Sequence, residues 1–215
     1  MRRRLAPAPG GWIAALLALT LPLPAAAQAR SDGAPTPSQT TATLAGRADP
    51  GTDDLFDPAG FRRARYRAPV DRAPTPAATL PLARALTLRP GRDALFLDVL
   101  PAEGAQRDPA SGVWRGAPPH QTVPGARWFP EVGRAAPDPV LWAGFLAAVR
   151  AAQVRHPRWP VVVFCRADCW MSWNAARRLA LAGVPRVAWF AEGIDGWHDA
   201  RRPLASATPE ATPAP

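Results

Sequence analysis

The 215-residue chain contains no lysine: all 26 of its basic residues are arginine, and it has only two cysteines, two methionines, three histidines and one tyrosine. Two cysteines cannot staple a disulfide-dense small fold, so the protein must rely on a hydrophobic core. After the amino terminus no apolar run is long enough to span a bilayer. No Met-rich or His-rich tract is present. The formal net charge of +9 comes from arginine alone and accompanies abundant Ala, Pro and Gly, the pattern of a GC-rich genome. Beyond the amino-terminal arginines the only dense basic cluster, Arg62-Arg63-Ala64-Arg65-Tyr66-Arg67, is short. It suits a solvated face or a loose contact with an acidic partner, and a nucleic-acid partner is not expected.

The amino terminus reads as an export signal. Met1-Arg2-Arg3-Arg4 is a basic segment, Gly11 to Leu23 is apolar, and Ala25-Ala26-Ala27-Gln28-Ala29 offers small-residue cleavage sites. Removing residues 1–29 takes three arginines and no acidic residue from the +9, leaving +6. The expected location is the bacterial periplasm, with no membrane span after signal removal. Residues 30–60 are rich in Ser, Thr, Pro, Gly and Asp and read as a disordered linker, as do residues 205–215 as a tail. Residues 61–204 then form one domain, large enough to bury a core.

Within that domain, short apolar runs at Ala94 to Leu100, Pro160 to Phe164 and Arg186 to Phe190 read as buried parallel strands. Helical spacing marks Pro139 to Val154 and Ser172 to Leu181, the latter closed by Gly183. A further helix over Leu80 to Ala85 and a strand at Thr87-Leu88 are weakly marked. The alternation implies an α/β fold with a mostly parallel central sheet and helices on both faces.

Both cysteines fall in Phe164-Cys165-Arg166-Ala167-Asp168-Cys169-Trp170, directly behind the run Val161-Val162-Val163-Phe164. A strand ending in cysteine, a polar turn and a helix is how α/β enzymes present a thiol at the carboxyl edge of a sheet. Backbone N–H groups and a helix N-terminus there would favour thiolate. Arg166, Asp168 and Ser172 make the segment too polar for simple core filler. Asp98, at the end of a buried strand, needs hydrogen-bond partners and reads first as structural. His120 lies in a loop from which it can reach a site. His156 closes a helix, and Gly193-Ile194-Asp195-Gly196-Trp197-His198 is a glycine-flanked turn entering a helix.

In this order, Asp98, the Pro124-Gly125-Ala126 turn, Phe164-Cys165-Arg166, the Ala175-Ala176-Arg177-Arg178-Leu179 helix with Gly183, and Glu192-Gly193-Ile194-Asp195-Gly196-Trp197 together resemble a rhodanese-like domain over roughly residues 65–204. More narrowly, Cys165-Arg166-Ala167-Asp168-Cys169-Trp170-Met171-Ser172-Trp173-Asn174-Ala175 resembles the signature of exported pyrroloquinoline-quinone (PQQ)-dependent catabolism-associated CXXCW-motif proteins. That family's label places two residues between the cysteines; three stand here. The resemblance implies a sulfurtransferase-like activity with Cys165 as the persulfide-forming residue. Arg166, Ala167, Asp168, Trp170, Met171 and Ser172 would form the anion-binding loop around it, with Asp98, His120 and Trp173 in support. Partners would be a small sulfur donor or a protein thiol, with a PQQ-dependent dehydrogenase or a c-type cytochrome as further candidates; no cofactor and no resident metal are expected. Asp168, Trp170 and Trp173 argue against thiosulfate as substrate, and Cys169 adds the option of attacking sulfur carried on Cys165 to form an intraloop disulfide. Two other classes stay open: copper handling by the soft thiolates with His120 or His198 as third ligand, and an inert fold that only binds a partner dehydrogenase or cytochrome.

Overall fold

The computed structural model describes residues 55–213 except Tyr66; the signal peptide expected over 1–29 and residues 30–54 of the expected linker lie outside the described residues. In chain order the elements are β1 (Ala78–Thr79), α1 (Leu82–Ala85), β2 (Leu95–Asp98), β3 (Gln106–Arg107), β4 (Trp114–Arg115), β5 (His120–Thr122), β6 (Arg127–Trp128), α2 (Pro139–Arg155), β7 (Val161–Phe164), α3 (Met171–Leu181), β8 (Val187–Trp189), α4 (Gly193–Asp199) and β9 (Ala205–Ala207). Five strands form a central sheet in the order β1-β8-β7-β2-β6, every pairing parallel. Two antiparallel ribbons, β3-β4 and β5-β9, lie outside it.

The apolar runs predict this sheet because β2 and β7 are buried at every position, the signature of parallel strands covered on both faces. Side chains alternate along them. Leu95, Leu97, Val161, Val163, Val187 and Trp189 pack with α2 and α3, whereas Phe96, Val162, Phe164 and Phe190 pack with Ala85 of α1 and Ile194 and Trp197 of α4. The protein is thus an α/β domain with helices on both faces. Local chemistry fixes the helix ends. Asp138 caps α2 by accepting from the Leu141 amide at 2.7 Å, with Pro139 behind it at the first helical position. After α3, Gly183 turns left-handed at φ +78°, and Val184 N–H reaches back to the Leu179 carbonyl at 3.1 Å, a Schellman closure.

Three expectations are corrected. Thr87-Leu88 is no strand: the Thr87 hydroxyl donates to the Arg84 carbonyl and Leu88 N–H to that of Ala85, closing α1 as a turn. Residues 205–213, read as a disordered tail, are held in place. There β9 pairs with β5, Arg127 grips Glu210 with two bonds of 2.9 Å, and Thr212 is buried where Arg107 reaches it. Small residues and prolines hid this because the segment is fastened by backbone pairing and one ion pair rather than by apolar side chains. Residues 55–60, counted with the linker, also pack: Phe56 bridges to Arg62 and meets the Trp173 ring edge-on at 5.7 Å.

Candidate functional site

β7 ends at Phe164, and the alternation of its side chains continues into the turn. Cys165 therefore enters the core on the α3 side, fully buried, while Arg166 comes out on the other. Both cysteines are free thiols. The Cys165 Sγ–H donates to the Cys169 carbonyl at 2.9 Å, and Sγ lies 3.1 Å from Ser172 Oγ. Trp189 Nε1 donates to that same hydroxyl oxygen at 2.9 Å, and the Ser172 hydroxyl in turn donates to the Cys169 carbonyl at 3.4 Å. The Cys165 carbonyl accepts from Ile194 N–H at 2.8 Å. A glycine is required beside it: Gly193 sits at φ +54°, and a Cβ there would stand 2.1 Å from the Cys165 oxygen.

The expectation that a cradle of amides would activate the thiol is corrected by these contacts. Burial pushes the Cys165 pKa well above its ordinary value, and the hydrogen bond and charge of the neighbouring Cys169 thiol push it further; Ser172 pulls the other way through its hydroxyl and its N–H. Among the described residues Ser172 N–H is the one amide that acts on the sulfur, and two others in the loop are committed elsewhere. Ala167 N–H donates to Asp195 Oδ2 at 2.9 Å, and Cys169 N–H to the Arg166 carbonyl at 3.1 Å. Cys165 in this state is a protonated thiol.

The segment before β1 crosses the loop as an arm. Arg67 bridges backbone to backbone with Cys169, and its Nε pairs with Asp168 Oδ2 at 2.6 Å. That pair is largely exposed and contributes no more than about 1 kcal/mol. The buried fastenings are stronger. Trp170 Nε1 donates to the Arg65 carbonyl at 2.9 Å and Trp173 Nε1 to that of Arg72 at 2.7 Å. Asn174, fully buried, accepts from Arg62 N–H at 2.9 Å and donates to the carbonyls of Arg62 at 2.8 Å and Gly133 at 2.9 Å. The arginine cluster read as a solvated face is therefore in part a cover, with Arg62 itself buried.

Asp98 and His120 form a cluster of their own. Asp98 is fully buried and accepts from His120 Nε2 at 2.6 Å, Thr122 Oγ1 at 2.6 Å and Leu100 N–H at 2.9 Å. This is the satisfied carboxylate that a buried strand end demands. His120 also packs on the Trp128 ring, centroids 4.2 Å apart.

The structure thus brings Cys165, Cys169 and Ser172 into contact, buries Met171 in the core beside them, sets Trp170 and Trp173 under the arm, and turns Arg166, Ala167 and Asp168 outward. His120 is committed to Asp98 rather than to the cysteines, and among the described residues no three His, Cys, Asp or Glu side chains are grouped to hold a metal ion. Among the described residues no helix is long and apolar enough to cross a membrane. Trp189 and Asn174 escaped the sequence reading. Asn174 carried a signal, a polar residue on the inward face of an amphipathic helix; Trp189, inside a short strand, carried none. Comparison with protein-family models, with curated proteins and with solved structures returned no match for this chain, so the functional reading stands on its residues and geometry.

Proposed function

We propose that this is an exported rhodanese-like protein that uses Cys165 and Cys169 for sulfane-sulfur or thiol-disulfide transfer. The observation that carries this reading is the contact between two free thiols at the carboxyl edge of a parallel sheet, where open α/β folds place their ligands. Once deprotonated, the Cys165 thiolate attacks the outer sulfur of a persulfide donor; the donor's S–S bond breaks, its thiol leaves, and Cys165 carries a persulfide. The Cys169 thiolate then attacks the Cys165 sulfur, hydrosulfide leaves, and a Cys165–Cys169 disulfide remains. A protein dithiol or small thiol supplies the two electrons that reset it. Ser172, oriented by Trp189, is placed to donate to the thiolate. The arm and the Cys169 carbonyl must move aside first, so the described geometry is a resting state.

An accessory role in PQQ-dependent alcohol catabolism, with a dehydrogenase or c-type cytochrome as partner, rests on the sequence resemblance. The buried, protonated thiol favours a second reading, a non-catalytic fold that binds such a partner. Mass spectrometry after incubation with a cysteine persulfide donor separates the two. The expected result is an intraloop disulfide in the wild type, a persulfide of about one added sulfur atom accumulating on Cys165 in Cys169→Ala, and no product in Cys165→Ala. An unmodified Cys165 in Cys169→Ala would remove the transfer mechanism and leave the binding module.

A further inference from the structure

Across the sheet edge from Cys165 lies an open pocket of about 330 Å³ with an apolar floor of Leu100, Ile194 and Leu204. This is the size of a small-molecule site, and such sites set a few convergent polar groups against an apolar lining. Two groups facing this pocket have hydrogen-bonding capacity that the protein does not use. The first is His120. Asp98 takes three hydrogen bonds as acceptor, which assigns the proton of the imidazole to Nε2. In the neutral imidazole Nδ1 is then a lone-pair acceptor, and His120 makes no second hydrogen bond among the described residues.

The second is Arg166. Its Nε is buried without a hydrogen-bond partner, and the nearest carboxylate oxygen, Asp195 Oδ2, stands at 3.7 Å and already accepts from Ala167 N–H. None of the guanidinium donors has a hydrogen-bond acceptor among the described residues. A planar fork of N–H donors matches a carboxylate in two-point fashion. Asp195 and Asp199 also line the pocket, and their charge disfavours a dianion such as phosphate or sulfate more than a monoanion. The chemistry missing from the pocket is thus one carboxylate for Arg166, one hydroxyl proton for His120 Nδ1, and a short hydrocarbon for the floor.

We infer that this pocket binds a small aliphatic hydroxy monocarboxylate, with Arg166 holding the carboxylate and His120 accepting from the hydroxyl. The site is separate from the cysteine pair, whose side chains lie in the core cluster on the α3 side, so it stands whether or not sulfur transfer does. Calorimetric titration of the full chain with hydroxy acids of four to six carbons, the hydroxyl at C2, C3 or C4, tests it. At least one acid is expected to saturate one site, while its deoxy acid and its carboxylate-free alcohol each bind about tenfold more weakly, the loss of one good hydrogen bond or charge contact. Arg166→Gln is expected to weaken binding by about tenfold or more; with this side chain 43% exposed, the fold tolerates the change. A Cys165→Ala/Cys169→Ala variant is expected to bind as the wild type does. Absence of saturable binding up to about 20 mM, equal binding by the deoxy acid and the alcohol, or indifference to Arg166→Gln would overturn the inference. Binding lost in the double-cysteine variant would place the acid at the thiols and overturn it as well.

Discussion

Cys165 and Arg166 are neighbours in the chain, yet they serve opposite sides of one sheet edge. Cys165 is protonated, buried among α3 and β8 side chains and covered by an arm fastened through Asn174, Trp170 and Trp173. Arg166 opens on a solvent-accessible pocket with its donors unused. The cause is elementary: alternation at the end of a strand covered on both faces sends consecutive side chains to different layers. A single loop can therefore keep a reactive group shut away and expose a charged one.

That contrast can be broken from either side. The largest effect is expected on the closed side: Asn174→Ala leaves three buried backbone groups without their partner, at a cost of about 3 kcal/mol in urea unfolding. It should also speed alkylation of Cys165 by iodoacetamide in native buffer. A loss below about 1 kcal/mol would mean that the arm is fastened elsewhere. On the open side, Asp98→Asn keeps the shape but weakens the anchor of His120 and Thr122, costing about 2 kcal/mol, with no change in the alkylation rate of Cys165. Faster alkylation there would show that the Asp98 anchor also fastens the cover over the thiol.

The smallest effect concerns the proton on Cys165. Its pKa in the folded chain is raised above the unfolded value of about 8.5, so the folded state holds the proton more tightly. That contribution is fully present below about pH 8.5 and is lost as pH climbs toward the folded pKa, at up to about 1.4 kcal/mol per pH unit. Unfolding free energies of wild type and Cys165→Ala should therefore converge across this range. Parallel curves would show a thiol that titrates freely in the folded protein.

The core strands were legible in the sequence because Val161 to Phe164 and Leu95 to Leu97 are apolar at every position and so declare burial on both faces. The carboxyl-edge placement of Cys165 followed from the same pattern. Its electrostatic state did not: which way a loop turns its carbonyls depends on distant partners, here Asp195 for the Ala167 amide and Arg67 for the Cys169 backbone. β1, β6 and β9, two or three residues each, were too short to show a period. The covering arm was misread because arginine suggests solvent, whereas Arg62, Arg65 and Arg72 make their contacts to Asn174, Trp170 and Trp173 through the backbone.

The close approach of Gly193 to the Cys165 carbonyl ties α4 to the thiol loop through the Ile194 amide. Mechanically this is a pivot. A movement of residues 165–169 that frees the sulfur must either break that bond or carry the start of α4 with it, and Ile194 and Asp195 are walls of the pocket on the far side. Uncovering the thiol and reshaping the pocket would then be two readouts of one displacement, and occupancy of the pocket would act as a brake on the loop.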